Sequence, residues 1–327
     1  MNDHFQENGT FTRQDFLKMG SILCASATLP TCESIFADGL ERLFKRTKKV
    51  LWIQGQSCSG CTISLLNTEN PDPIRLLTRV ISLGFHQTLG AAQGHLCTES
   101  LEKMKKDGGY ILVVEGSIPT AIPEACTIAG QTLADLLPGL INKADSVMAV
   151  GTCASYGGIP GAEGNSTGAL SVQEFMHLKS ISTDQFLVNL PSCPTHPKSM
   201  VGTIAYLAGR GYPKVHSKLL TPEIFYSNST HDNCPRYHYY DRHIYAQHFG
   251  DNNGCLFKLG CLGMLTNTQC PQRQWNSGVN WCIRAAASCI GCSSPEFCKR
   301  RDFHIYRKIE EVTKTKYTDE DRKGEKS

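Results

Sequence analysis

Val50-Leu51-Trp52-Ile53-Gln54 runs straight into Gly55-Gln56-Ser57-Cys58-Ser59-Gly60-Cys61, and this junction of an apolar run with a cysteine-bearing turn decides the fold. Three more short apolar runs, at residues 110–114, 146–150 and 186–190, repeat the first half of the pattern. Between them lie stretches of helical character at 74–81, 127–137 and 198–208. Apolar runs of this kind fit parallel strands buried on both faces. Their alternation with helices predicts an α/β fold on a doubly wound parallel sheet, with ligands at the carboxyl ends of the strands.

The residues just past each strand therefore matter. After the second comes Glu115-Gly116-Ser117-Ile118-Pro119, after the third Gly151-Thr152-Cys153-Ala154-Ser155-Tyr156-Gly157-Gly158, and after the fourth Pro191-Ser192-Cys193-Pro194. Cys58, Cys61, Cys153 and Cys193 would converge on one sheet edge, with glycines that let the backbone approach a bulky group. Two other readings compete. A glycine-rich turn can cradle a phosphate, but the chain has neither GxGxxG nor GK[ST]. Structural zinc ordinarily draws on two local CxxC pairs, whereas here one pair joins two isolated cysteines. Four thiolates at one edge favour an iron–sulfur cube.

From Ser227 onward strands and long helices give way to ligand residues: His231-x2-Cys234-x20-Cys255-x5-Cys261, then x8-Cys270-x11-Cys282-x6-Cys289-x2-Cys292. These are two sets of four. A segment so poor in regular structure needs another source of stability, and metal–ligand bonds supply it because binding free energy becomes folding free energy. Disulfides are the alternative, but seven cysteines cannot all pair among themselves, and both x2 spacings are chelating ones. His238, His243 and His248 are expected as exposed loop residues, with Arg236, Tyr237 and Tyr239 on the same surface. Cys97, Cys126 and Cys298, like Cys24 and Cys32, have no partner at ligand spacing.

The whole chain has 327 residues, about twice a usual domain, and 16 cysteines, too many for core packing alone. Its 33 basic and 30 acidic residues leave +3, no basis for binding nucleic acid or an anionic membrane. No uncharged apolar stretch reaches the roughly 18 residues of a membrane span. Residues 1–48 read as a leader. Thr12-Arg13-Gln14-Asp15-Phe16-Leu17-Lys18 resembles a twin-arginine export signal whose second arginine is Gln14, which points to the periplasm and leaves a cytoplasmic protein as the alternative. The expected organisation is 1–48 signal-like, 49–215 sheet domain, 216–298 cluster-binding domain and 299–327 charged tail, with one helix around 305–312.

The segments Cys58-Ser59-Gly60-Cys61-Thr62, Ile81-Ser82-Leu83-Gly84-Phe85-His86-Gln87-Thr88-Leu89, Val114-Glu115-Gly116-Ser117-Ile118-Pro119, Gly151–Gly158, Pro191-Ser192-Cys193-Pro194-Thr195-His196-Pro197, Lys258-Leu259-Gly260-Cys261 and Cys289-Ile290-Gly291-Cys292 occur in order. Together they make the chain resemble the small subunit of [NiFe]-type hydrogenases from about residue 50 to 298. The resemblance implies a flavodoxin-like first domain followed by a mostly irregular iron–sulfur domain. It implies a proximal [4Fe–4S] cluster on Cys58, Cys61, Cys153 and Cys193, and a distal [4Fe–4S] cluster on His231, Cys234, Cys255 and Cys261. Cys270, Cys289 and Cys292 match the ligands of a medial cluster, which is [3Fe–4S] in most of the family, where a proline stands in place of Cys282. Here Cys282 offers a fourth thiolate, as in the [NiFeSe] hydrogenases, so three [4Fe–4S] clusters are expected. The alternative is a free Cys282 thiol beside a three-iron cluster.

With Ser59-Gly60 and Gly161 where oxygen-tolerant members carry extra cysteines, no six-cysteine proximal cluster is expected. The resemblance implies electron transfer for H2 ⇌ 2H⁺ + 2e⁻, with no catalytic residue in this chain. The Ni–Fe centre would belong to a large subunit and a multiheme c-type cytochrome would carry electrons onward. Glu115 is expected either at the interface or in proton movement, or as a buried structural carboxylate. A complex-I-related iron–sulfur subunit would lack the 231–292 cassette, and a zinc-stabilised interaction protein would be colourless.

Overall fold

The computed structural model describes residues 48–184 and 186–297. The signal-like segment, the charged tail, Cys24, Cys32 and Cys298 lie outside the described residues. Five strands, β1 (Lys48–Gln54), β2 (Ile81–Phe85), β3 (Tyr110–Glu115), β4 (Ala144–Val150) and β5 (Leu187–Leu190), form one parallel sheet in the order β2-β1-β3-β4-β5. This is the flavodoxin-like winding, whose switch point falls between β1 and β3. Val50, Trp52, Ile111, Val113, Met148, Val150, Val188 and Leu190 face one side of the sheet, under helices α1 (Gly60–Leu66) and α6 (Pro197–Gly209). Leu51, Ile53, Leu112, Val114, Val147, Ala149 and Leu187 face the other, under α2 (His95–Asp107), α3 (Leu133–Ile141) and α5 (Val172–Leu178). Both faces are covered, which is why the strands are apolar at successive positions.

Two sequence expectations change. The helix at 74–81 is a single turn at Pro73–Arg75 followed by a π turn at Leu76–Val80, after which Ile81 opens an unforeseen edge strand. The helix at 127–137 starts later: Thr127–Ile128 and Gln131–Thr132 form a two-stranded ribbon, and Thr132 caps α3 by accepting from Asp135 N. The expected strand ends and α6 stand close to where the pattern puts them.

Residues 226–297 contain only short helical turns and isolated bridges. Their core is small: Ala246, Leu256, Trp281 and Ile283 with Cys261 and Cys289. This segment packs on the carboxyl side of the sheet. Gln269 Nε2 donates to Ile224 O at 2.9 Å, and His196 Nε2 meets Gln274 O at 2.8 Å.

Candidate metal centres

Cys58 sits in the turn that carries β1 into α1 and Cys61 in the first turn of α1, at the switch point of the sheet. Ser59 N donates to Ser57 Oγ, and Ser59 adopts a left-handed conformation that folds the turn back into the helix. Behind the turn Glu115, only 2% exposed, collects six neutral donors. Its Oε1 accepts from Ser57 Oγ (3.0 Å), Cys61 N (3.1 Å) and Thr62 N (3.3 Å). Its Oε2 accepts from Thr62 Oγ1 (2.5 Å), Trp52 Nε1 (3.0 Å) and Gln54 Nε2 (3.3 Å). A carboxylate saturated in this way pins the cysteine turn, so of the expected roles the geometry favours the structural one.

Cys153 in α4 (Gly151–Tyr156) and Cys193 after β5 complete the first set. Burial first, then the neighbouring Cys153, Cys292 and Cys58 thiolates, push Cys193 up to about 12. Cys61 is raised by burial, by Glu115 and, less, by Cys153. The four thiols thus sense one another across one edge. A Cβ on Gly151 would stand 2.7 Å from Cys61 Sγ, and one on Gly158 2.7 Å from Cys153 Sγ. Both glycines have positive φ and leave the sulfurs room for a bulky group.

His231, Cys234, Cys255 and Cys261 form a second set. Burial, with Cys261 and Cys255 adding to it, pushes Cys234 up to about 11. Burial lowers His231 against the pull of Asp232, which favours the neutral, ligating form, and its buried Nε2 has no hydrogen-bond partner. Tyr240 stands edge-on to the His231 ring, with centroids 4.7 Å apart. In the third set, Cys270 is pushed up to about 12 by burial and then by Cys292, with Cys282 also contributing. Cys289 is raised by burial, then by Cys261 and Cys292. Cys282 therefore lies within the influence of Cys270 and Cys292, on an exposed turn.

So many buried thiols resist ionisation alone, and an iron core reverses that preference. Among the described residues no three His, Cys, Asp or Glu close on a single metal-ion position. Sets of thiols, one with an imidazole, and glycines that leave space beside the Cys61 and Cys153 sulfurs fit an iron–sulfur cluster.

The remaining expectations divide. His238, His243 and His248 are exposed, as expected, but His238 lies in the short helix Tyr237–Asp241 rather than in a loop. Arg236 is not on the surface with Tyr237: it is 8% exposed and donates from Nη1 to Gly254 O at 2.9 Å, because the loop needs a donor for that buried carbonyl. Cys97 and Cys126 pack partly buried against the sheet core.

Comparison with known proteins finds two family matches along the chain. Residues 226–305 match the C-terminal family of NiFe/NiFeSe hydrogenase small subunits, and residues 58–207 match the family of the 20 kDa subunit of NADH ubiquinone oxidoreductase. The periplasmic [NiFeSe] hydrogenase small subunit of Desulfomicrobium baculatum is 36% identical, over 88% of this chain and 96% of that protein. The chain belongs to the NiFe/NiFeSe hydrogenase small subunits. Hydrogenase-2 small chain of Escherichia coli is 32% identical over 92% of this chain and 81% of its own. The solved recombinant [NiFeSe] hydrogenase of Desulfovibrio vulgaris Hildenborough superposes with a TM-score of 0.73 at 38% identity, covering 78% of this chain and 96% of that one.

As a hydrogenase small subunit the protein serves electron transfer in a heterodimer whose catalytic site is in the large subunit, and its family binds iron–sulfur clusters. No helix among the described residues is long and apolar enough to cross a membrane. Sequence reasoning missed the small subunit's supporting polar residues. Thr195 Oγ1 accepts from Gly151 N at 2.8 Å and donates to Leu190 O, and Thr62 joins His86 to Glu115. The available signal was position: each is a polar residue beside a strand end or a strand-end cysteine.

Proposed function

We propose that this small subunit holds three [4Fe–4S] clusters. Cys58, Cys61, Cys153 and Cys193 would be the proximal ligands, Cys270, Cys282, Cys289 and Cys292 the medial ones, and His231, Cys234, Cys255 and Cys261 the distal ones. One observation carries the reading: the donor sets are joined in series. Ser192, next to Cys193, lies 3.4 Å from Cys292 Sγ, and Leu262 N, next to Cys261, donates to Cys289 O at 2.8 Å. The third set therefore stands between the other two, as a relay requires. When bound, the clusters supply one-electron couples whose potentials depend on cluster type, charge, hydrogen bonding and exposure.

The chain's own residues keep these couples in place. Glu115 and its donors fix the Cys58–Cys61 turn, and the packing of 226–297 on the sheet buries Cys289 and half-buries Cys270 and Cys292, leaving Cys282 exposed. The exposed Cys58 and Cys193 mark the face that the large subunit would cover. The domain limits 49–215 and 216–298 belong to the same proposal. So do export to the periplasm through the 1–48 segment and a multiheme c-type cytochrome as electron carrier. The relative named periplasmic supports the location, and Gln14 is the residue that argues for testing it.

Iron and acid-labile sulfide on the anaerobically purified heterodimer, with EPR on the same sample, test the cluster content. About thirteen iron atoms per heterodimer, about twelve in the small subunit and one in the large subunit's Ni–Fe site, and no [3Fe–4S] signal are expected. Cys282→Pro should lower iron by about one and bring that signal up. A full-intensity [3Fe–4S] signal in the wild type, unchanged by anaerobic iron reconstitution, would exclude Cys282 as a ligand.

A further inference from the structure

Ser192 and Thr152 each stand immediately before a cysteine of the first donor set, and both reach across to Cys292 of the third. Ser192 Oγ lies 3.4 Å from Cys292 Sγ, within hydrogen-bond range for sulfur. The Thr152 hydroxyl donates to the carbonyl of Cys292. Thr152 N in turn donates to Ser192 O at 3.1 Å, so the two residues act as one bracket. Ser192 is 4% exposed and Thr152 1%, which removes water as a competitor for either hydroxyl.

The direction of the Ser192–Cys292 bond is dictated by chemistry. A free thiol and a hydroxyl can each donate to the other, but a sulfur bound to iron has no proton, so the hydroxyl must donate. Hydrogen bonds to cluster sulfurs help set the potential, and a donor favours the more negative, reduced state. We propose that Ser192 donates to the Cys292 sulfur and so raises the potential of the medial site, opposing the lowering that a fourth thiolate at Cys282 brings. This rests on the ligand roles given to Cys193 and Cys292 above. It makes Ser192 a positioning residue for the relay: its backbone carries a proximal ligand while its side chain adjusts the neighbouring site.

The test compares wild type, Ser192→Ala and Ser192→Thr as anaerobically purified heterodimers, with iron and sulfide measured on each. Midpoint potentials are read by EPR-monitored redox titration, the couple that Cys282→Pro also displaces marking the medial site. Ser192→Ala should keep its iron and shift the medial couple downward, by about tenfold in the reduced-to-oxidised ratio at fixed ambient potential, or about 59 mV for one electron. Ser192→Thr, which keeps the hydroxyl, should stay close to wild type. Full iron with an unchanged medial potential in Ser192→Ala overturns the inference. If that variant fails to load iron, a crystal structure of the loaded wild type decides: Oγ on Cys292 Sγ supports the bond, and Oγ turned away overturns it. Wild type without iron on the Cys270 set would instead sink the ligand assignment, a result separately visible in the iron count.

Discussion

His86 is held in one tautomer by its neighbours. Its Nδ1 accepts from Thr88 N (3.0 Å) and Leu89 N (3.2 Å), so its proton sits on Nε2 and points to Thr62 Oγ1 at 3.1 Å. The Thr62 hydroxyl then donates to Glu115. A second proton on His86 would face two N–H donors in a buried site stacked on Trp52. Burial accordingly lowers its pKa to about 4, against an opposing pull from Glu115. Between pH 4 and the ordinary value of 6.5 the unfolded chain binds the proton that the folded chain refuses, so stability falls as pH drops through that window and is flat above it. The contribution is at most about 3 kcal/mol. His196, lowered to about 3 first by burial and then by Arg273, acts with the same sign, so only a difference isolates His86. His86→Asn keeps an acceptor near Nδ1 without the titration. The melting temperatures of wild type and variant, compared from pH 7.5 down to 4.5, should diverge in acid with wild type losing more; parallel curves would refute the assignment.

Helix α5 shows how local sequence fixes an element on the sheet. Ser171 Oγ accepts from Glu174 N while Glu174 Oε2 accepts from Ser171 N, a reciprocal cap that sets the angle at which Val172, Phe175 and Met176 enter the core. Ser171→Ala should lose about 1 kcal/mol and lower the melting temperature by roughly 2–4 °C. A thermal melt unchanged by the substitution would mean that core packing alone positions α5. Elements differed in how clearly the sequence announced them. The runs of β1, β3 and β4 were legible because their central residues are buried and, apart from Ser146, apolar. β2 was not, because an edge strand shows one partly exposed side and includes Ser82 and Gly84. α2 was also hidden: it buries only Leu101 and Met104 and has no side-chain N-cap. At 127–132 the turn depends on Ala129 and Gly130 at positive φ, a tertiary choice that apolar pattern does not reveal.

At the scale of the whole molecule, stability is unevenly distributed. The sheet carries a large apolar core on each face, whereas residues 226–297 rest on a small core to which Cys261 and Cys289 themselves contribute. The proposed donors stand out in the sequence by spacing, in local pairs such as His231/Cys234 and Cys289/Cys292. The brackets between donor sets were not, since Ser192 and Cys292 meet only after the sheet and the cassette pack together. Iron and the cassette's fold should therefore be lost together. Stripping iron from the reduced protein with a chelator should open 226–297 while the sheet domain persists. Trypsin reads this directly, because Arg236 and Arg273 are 8% and 5% exposed and should resist cleavage while iron is bound. New cuts after both arginines, with the sheet domain surviving on a fragment that ends at Arg236, are the expected result. Equal rates of cleavage across both halves would show one cooperative unit, and an unchanged cassette would show that its small protein core suffices without iron.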